Sequence, residues 1–314
     1  MKIALLESLG ISDRLLEEYQ QRLAQIGHTL VCFERTSDKN ALIEQARGAQ
    51  AVILANMPIS PEVLSGWQDV RYIDIAFTGV DHVPIALAKA RGIQISNASG
   101  YSTQAVAELT VCQMLNLLRN VKQTARRCRT GGTKAGLVGC ELCGKTVGLV
   151  GCGKIGSRVA ALLQAFGCQV IAYTRSRTSG FENGIRYVSL DELLKTSDIV
   201  SLHCPLNDST YHLLGQREFS LMKKGSYLIN MARGNVIDSG ALLSSLDSGE
   251  IAGAALDVFE QEPPLDPSSP VLQPDKILVT PHIAFATAES MADRARIVFD
   301  NLFAWLDGKL QNPV

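Results

Sequence analysis

The 314-residue chain has no charge imbalance: 30 lysines and arginines stand against 31 aspartates and glutamates, well interspersed, for a formal net charge of −1. No one-signed field is available to gather a phosphate backbone or an anionic bilayer, so neither nucleic acid nor membrane is expected as a partner. A long apolar run is also missing. The opening MKIALLESLG carries one lysine and is broken by Glu7, too little for a signal peptide or a spanning helix, and a cytoplasmic location is expected. Eight cysteines occur, but without metal or disulfide spacing. Cys112, Cys168 and Cys204 fall in apolar segments, and the pair Cys140-x-x-Cys143 has no second CxxC or HxxxH to complete a zinc site. Reduced cysteines and no metal site are expected. Internal repeats and low-complexity runs are absent as well.

What is present is material for packed cores, with 46% hydrophobic and 19% charged residues over a length that calls for two globular domains. The first third alternates strand and helix: KIALLE, a helix from Ser12 with Leu15, Tyr19, Leu23 and Ile26 on one face, then TLVCF, AVILA, RYIDIA and GIQIS. Short apolar runs separated by helices imply a parallel sheet covered on both faces. Residues 103–128 contain no Pro or Gly and are expected to form one long helix, with Val106, Leu109, Val111, Met114, Leu117 and Leu118 making a broad apolar surface. That surface exceeds what one sheet face covers, so a homodimer through this region is expected. A second alternating series begins at KTVGLVG and runs through QVIAY, DIVSLH, SYLINM, AGAALDV and KILVTPH. The last segment, with Met291, Ala295, Val298, Leu302 and Trp305 at helical spacing, is expected to pack back on the first domain.

The strand TVGLV leads into Gly151-x-Gly153-x-x-Gly156 and then into an amphipathic helix carrying Val159, Leu162, Leu163 and Phe166. In a dinucleotide-binding turn the three glycines serve the tight turn, close approach of the pyrophosphate, and helix-to-strand packing. The amides and dipole of the helix start hold the phosphate charge. The following strand QVIAY normally ends in an acid that binds the adenosine ribose hydroxyls. Here Thr174, Arg175, Ser176 and Arg177 stand instead. Without the acid a 2′-phosphate meets no repulsion, and guanidinium and hydroxyl groups can pair with it. NADP(H) is therefore favoured, with NAD(H) as the alternative.

Three further segments, INMARGNVID, DVFEQEPP and VTPHIA, lie at the ends of predicted strands of the second series, where ligands of doubly wound folds bind. With the glycine turn, SLHCPLNDST and NASGYSTQAVAE, they resemble the D-isomer-specific 2-hydroxyacid dehydrogenase family over nearly the whole chain. The resemblance implies two doubly wound α/β domains. A flavodoxin-like substrate domain would comprise residues 1–98 and 285–314, a Rossmann domain of residues 99–284 would be inserted into it, and the active site would lie in the cleft. It also implies that Arg233, Glu262 and His282 match the catalytic positions. The same resemblance places Lys154 and Ile155 at the pyrophosphate and Cys204 and Pro205 on the adenosine side. Ala232, Arg233 and Asp257 fall near the nicotinamide, with Asp257 accepting from its carboxamide. Thr103 reaches the cofactor or caps its helix.

The chemistry of each residue type agrees with these roles. A guanidinium at Arg233 can bind the carboxylate of a 2-keto acid and polarise the neighbouring ketone. Hydride addition leaves an alkoxide that needs a proton, and His282 is the proposed donor, oriented by Glu262. A donor must be loaded for reduction and empty for oxidation, so reduction favours lower pH and oxidation higher pH. Of the other histidines, His28 begins a strand, His82 a helix, His212 lies in a polar loop, and His203 ends a strand at the cofactor face.

For the substrate, residues 76–80 offer backbone amides, with Phe77, Thr78 and Gly79 at hand and Gly79 permitting close approach. Residues 55–60, including Asn56 and Met57, contain no Arg or Lys, so a substrate phosphate has no partner there. That disfavours phosphoglycerate, as does the lack of a C-terminal regulatory extension. Phe77, Met57 and Phe285 can wall an apolar pocket. The stretches ANMPISPEVL and AFTGVDHV resemble the hydroxypyruvate and glyoxylate reductase branch, which ranks those substrates ahead of D-lactate and bulkier 2-hydroxy acids. Rival readings are a catalytically idle dinucleotide sensor of the corepressor kind and a reductase of a related imine or carbonyl.

Overall fold

The computed structural model describes residues 1–262 and 264–314. The chain divides into two compact units, Met1–Ser102 with Ala286–Val314, and Thr103–Phe285. The first begins with β1 (Lys2–Leu5), α1 (Asp13–Gln25), β2 (Thr29–Cys32), α2 (Lys39–Gln45) and β3 (Ala49–Leu54). It continues with α3 (Pro61–Gly66), β4 (Tyr72–Ile75), α4 (Ile85–Ala90) and β5 (Gln94–Asn97). Among the described residues these strands form one all-parallel sheet in the order β2-β1-β3-β4-β5, the flavodoxin-like arrangement. Parallel strands covered by helices on both faces must be apolar throughout. Accordingly Ile3, Ala4, Ile53, Leu54 and Ile73 are fully enclosed.

The second unit runs through α5 (Thr103–Leu118), α6 (Val121–Arg129), β6 (Thr146–Val150), α7 (Lys154–Ala165), β7 (Gln169–Tyr173), β8 (Gly180–Glu182) and β9 (Ile185–Tyr187). Then follow α8 (Leu190–Thr196), β10 (Ile199–Leu202), α9 (Gln216–Leu221), β11 (Ser226–Asn230), α10 (Ser239–Asp247), β12 (Ile251–Leu256) and β13 (Ile277–Val279). Among the described residues its sheet has the order β13-β12-β11-β10-β6-β7-β9-β8, parallel except for the β8–β9 hairpin. Counted from β6 and leaving out that hairpin's outer strand, this is the 3-2-1-4-5-6 order of dinucleotide-binding sheets, extended by β13. β8 and β9 were not legible in the sequence. Each has three residues, and Glu182 and Arg186 interrupt their apolar character.

Two expectations for residues 103–128 fail. The single long helix is broken, because α5 stops at Leu118 and α6 restarts at Val121, with Asn120 between them at φ +51°. Asparagine is among the few non-glycine residues that tolerate the left-handed region, so a break needs neither Pro nor Gly. The apolar surface is also not left open. Val106, Val111, Met114, Leu117 and Leu118 are buried, sharing one core with Val147, Leu149, Val159 and Leu163 of β6 and α7. Cys112, expected in an apolar setting, faces solvent, and His82 lies in a turn ahead of α4.

The chain returns to the first unit through α11 (Ala288–Leu306), which starts from a reciprocal cap between Thr287 and Ser290. Phe299 stacks on Tyr19 with ring centroids 3.8 Å apart, and Trp305 stacks on Tyr72 at 4.8 Å. The Asn301 amide donates to Asp74 Oδ1 and to the Asn97 carbonyl, each at 3.2 Å, while Asn312 donates to Asn301 Oδ1 at 2.7 Å. The end of the chain is thus tied to β4 and β5 by polar groups inside the core.

Burial pushes the Asp74 carboxyl up to about 8, so the native chain holds it protonated at neutral pH. A raised native pKa gives stability that is fully present below the ordinary carboxylate range and lost as pH rises through about 8. Asp74→Asn keeps the shape and cannot ionise. Its melting temperature relative to the parent is expected to climb between pH 5 and pH 9, with a slope equivalent to roughly 1 kcal/mol per pH unit. A difference independent of pH, read by thermal unfolding, would contradict a protonated Asp74.

Candidate active site

In the second unit the carboxyl ends of β6 and β10 lie side by side, and there the strand order reverses, which opens a crevice for ligands in doubly wound sheets. Backbone contact is close at this point. Gly151 has φ +96°, donates to the Tyr173 carbonyl at 2.8 Å, and a Cβ on it would stand 2.7 Å from the His203 carbonyl carbon. A Cβ on Gly156 would meet the Gly151 carbonyl oxygen at 2.3 Å, so this glycine lets α7 approach the turn. Gly153 differs, with a φ of −79° that any residue adopts and no atom within 4 Å of its ideal Cβ. Folding does not require glycine there, whereas room for a bound group does. Gly153 caps α7 without a side-chain bond, and the first-turn amides of Lys154, Ile155 and Gly156 have no partner within the helix. A dinucleotide pyrophosphate fits this combination of open space, donors and helix dipole.

Beyond β7, Thr174 and Arg177 close a tight turn through mutual backbone bonds of 3.3 and 3.1 Å, which places Arg175 and Ser176 at its exposed tip. Arg177 is engaged elsewhere: it pairs with Glu182 and lies over the Tyr187 ring, 4.1 Å from its centroid. The sequence treated the two arginines as equals. Next to the glycine turn, His203 Nε2 lies 2.9 Å from Ser201 Oγ, and its enclosed Nδ1 has no partner. Burial lowers its pKa to about 4, so it contributes stability that is lost as pH falls toward that value. Cys204 is half-buried and Pro205 exposed beside it. Thr103 is the first residue of α5.

Arg233, Glu262 and His282 come from the loops after β11, β12 and β13, three neighbouring strands. His282 Nδ1 is 2.7 Å from Glu262 Oε2, and Phe285 packs edge-on against the imidazole with centroids 5.5 Å apart. The His282 side chain is 14% exposed and that of Glu262 45%, so the pair lies at a surface open to small molecules. His282 adopts φ +54°, an uncommon conformation for a non-glycine residue, held by its N–H donating to the Asp257 and Thr280 carbonyls at 2.8 and 3.0 Å.

Asp257 is fully enclosed and acts on the same loop. Its Oδ1 accepts from Thr280 Oγ1 at 2.6 Å and from the Ile283 amide at 2.9 Å, and its Oδ2 accepts from the Ala284 amide at 2.8 Å. Burial raises its pKa, against these bonds. By lone-pair count Oδ2 retains room for one further donor. Sequence reasoning gave Asp257 only a cofactor contact and missed its hold on the histidine loop.

Asn230, also missed, performs the matching task for Arg233. At 0% exposure it accepts from the Ala232 amide at 3.1 Å and donates to the Arg233 carbonyl at 2.9 Å. Arg233 Nη1 donates to the Ala232 carbonyl at 2.8 Å. A Cβ on Gly234 would lie 1.8 Å from the Phe259 carbonyl carbon, so the loops after β11 and β12 touch backbone to backbone. The signal for Asn230 was an amide side chain at a strand end, which is common enough in turns to pass unnoticed.

In the first unit the residues proposed for substrate occupy loops after β3 and β4. Phe77 and Met57 are buried at 5% and 2% exposure, which limits the wall they can offer. Asn97 holds the Thr78 carbonyl at 2.8 Å, and Thr78 Oγ1 is enclosed without a partner. Gly79 has no positive φ. Residues 55–60 themselves carry no cation, but Arg35, beyond β2, donates to Asn56 Oδ1 at 2.8 Å. A residue distant in sequence reaches the loop because β2 and β3 both flank β1.

A parallel sheet of this order, with a glycine turn at its reversal point and an Arg, Glu and His group on neighbouring strand ends, defines a dinucleotide-dependent oxidoreductase of the doubly wound class. The profile of the D-isomer specific 2-hydroxyacid dehydrogenase NAD binding domain matches residues 111–284. A glyoxylate reductase from Aeropyrum pernix is 40% identical over 280 residues, 86% of this chain and 83% of the relative. An acyclic imino acid reductase solved with NADPH and D-Arg superposes with a TM-score of 0.92 at 28% identity, covering 100% of both chains. A glyoxylate reductase structure from Paecilomyes thermophila gives 0.89 at 30% identity, covering 100% of this chain and 98% of the other. The chain belongs to the D-isomer-specific 2-hydroxyacid dehydrogenase family. Among its described residues no helix is long and apolar enough to cross a membrane, and no group of three or more His, Cys, Asp or Glu could hold a metal ion.

Proposed function

We propose that this protein reduces a small 2-keto acid, hydroxypyruvate or glyoxylate, to the D-2-hydroxy acid with NADPH. The observation that carries the reading is the His282–Glu262 pair at 2.7 Å, with Arg233 on a neighbouring strand end of the dinucleotide-binding sheet. The bound nicotinamide supplies the hydride. Arg233 binds the substrate carboxylate and polarises the ketone oxygen. Glu262 faces Nδ1 of His282, so Nε2, on the opposite side of the ring, is the atom that delivers the proton to the developing alkoxide. Asp257 and Asn230 hold the backbones that carry His282 and Arg233. The named activities of the A. pernix and Paecilomyes relatives support the substrate class.

The NADPH preference rests on Arg175 and Ser176 at the exposed tip of the turn after β7, where no acid stands. The NADPH bound by the imino acid reductase supports it. Because Arg177 is held by Glu182, Arg175 is the expected partner of the 2′-phosphate. Arg175→Ala should raise KM for NADPH roughly tenfold or more and change KM for NADH little. A steady-state screen of glyoxylate, hydroxypyruvate, pyruvate and phenylpyruvate with both reduced cofactors tests the whole reading. No turnover of any 2-keto acid would refute the activity, and a strong NADH preference would refute the cofactor assignment. A homodimer through residues 103–128 is also proposed, supported now by the exposed Val121 of α6 and the nearby Val138 rather than by α5. Sedimentation at micromolar concentration decides it.

A further inference from the structure

The acid that normally ends the second strand of a dinucleotide-binding sheet is missing after β7, but an acid reaches the same turn from another direction. β8 and β9 are joined at Asn183 and Gly184, whose φ values of +49° and +76° fit a two-residue hairpin turn. The hairpin tip is pinned to α7, where Gln164 Nε2 donates to the Asn183 carbonyl at 2.9 Å. A Cβ on Gly184 would stand 2.6 Å from that same nitrogen, so the approach needs glycine. The backbone of Glu182, the residue before the turn, is thereby fixed, and its Oε2 pairs with Arg177 Nη1.

Arg177 is confined on two further sides. Its guanidinium lies over the Tyr187 ring of β9, 4.1 Å from the centroid, and a Cβ on Gly180 of β8 would be 3.4 Å from its Nη2. The Tyr187 side chain in turn lies beside the thiol of Cys152, the residue between Gly151 and Gly153. The pair therefore sits at the edge of the glycine turn, just beyond β7, where the adenosine ribose of a dinucleotide binds in such sheets. Both side chains reach solvent, Arg177 at 36% and Glu182 at 54% exposure, so the pair is open to a competing anion. An exposed ion pair holds its partners weakly. A carboxylate touching the guanidinium nevertheless offsets its charge and repels a second anion placed there.

Resting on the dinucleotide site and the cofactor reading above, we propose that Glu182 is a positioning residue that sets the strength of the NADPH preference. It supplies from β8 the repulsion that the end of β7 lacks, and by holding Arg177 it leaves the 2′-phosphate to Arg175. The site then accepts both dinucleotides and favours the phosphorylated one only moderately.

Adenosine 2′,5′-bisphosphate and 5′-AMP differ by the 2′-phosphate alone, so their affinities for the whole enzyme, read by calorimetric titration, isolate the effect from turnover. Glu182→Gln, an exposed and isosteric change, is expected to tighten the bisphosphate about fivefold, the upper worth of an exposed ion pair. Affinity for 5′-AMP and the melting temperature should stay where they are. KM for NADPH should fall in step, and KM for NADH should not. The gain should shrink as salt rises to about 0.5 M, where exposed charges are screened. Arg177→Met should cancel it, since the charge released is the guanidinium's. No change, an equal change for both nucleotides, or a gain that survives without Arg177 would overturn the proposal while the dinucleotide site stands. The parent's ratio of the two affinities checks the NADPH assignment itself: a ratio near one refutes that assignment, whatever Glu182→Gln does.

Discussion

His282→Asn is expected to slow keto-acid reduction by roughly 10² to 10⁴-fold, the usual worth of a positioned proton donor, while affinity for the reduced dinucleotide changes by less than about twofold. Asparagine is the informative replacement. At φ +54° most side chains meet steric resistance, and alanine would add about 1 kcal/mol or more of backbone strain to the loss of the imidazole. Asparagine tolerates that conformation and leaves the N–H bonds to Asp257 and Thr280 in place. Stopped-flow reduction under single-turnover conditions reads the chemical step, and quenching of the dinucleotide fluorescence reads binding. A rate within a few-fold of the parent would remove His282 from the mechanism. Glu262→Gln, which keeps a hydrogen-bonding partner at Nδ1 but removes the charge, should cost less.

Two alanine substitutions in the glycine turn should separate along different axes. Gly153→Ala places a methyl where no protein atom lies within 4 Å, at a φ open to any residue. As a change of helix cap it should cost less than about 1 kcal/mol of stability. Its effect should fall on the dinucleotide, with affinity lost by roughly 100-fold as the methyl occupies the pyrophosphate's place. Gly156→Ala drives a methyl to 2.3 Å from the Gly151 carbonyl oxygen, so α7 must move off the turn. Overpacking of this kind costs roughly 1–3 kcal/mol or more, and melting temperature should fall together with binding. Thermal unfolding and dinucleotide titration of the two variants measure the split. Equal losses of stability would make Gly153 a structural glycine and end the cradle reading.

These predictions draw on different depths of information. The glycine turn and most strands were legible because each is local: a turn or a run of apolar residues carries its own signal, whereas Arg233, Glu262 and His282 were singled out by the family resemblance of the segments that hold them. The break at Asn120 was hidden because a left-handed asparagine looks like any polar helix residue until the chain around it is placed. β8 and β9 were hidden because three-residue strands are selected by a neighbour, here β7, rather than by their own pattern. The contact of Arg35 with Asn56 was hidden because no local pattern links them; sheet order brings them together across 21 positions.

The sequence by itself determined the class of protein: two parallel α/β units, a dinucleotide turn, and a basic residue, an acid and a histidine at successive strand ends. The units and the turn are properties of short segments, set by backbone sterics and hydrophobic period, while the three site residues were implied by the family resemblance. Only the tertiary structure decided which polar groups hold the strand-end loops within each unit, namely Asn230 under Arg233, Asp257 under His282, and Glu7 with Arg35 under Asn56. It also separated Gly153 from Gly156, and Arg175 from Arg177, residues of equal appearance in the chain. The physical reason is that a buried polar group must find its partner wherever folding brings one, and the partner of Glu7 lies about fifty residues away, at Ala55 and Met57.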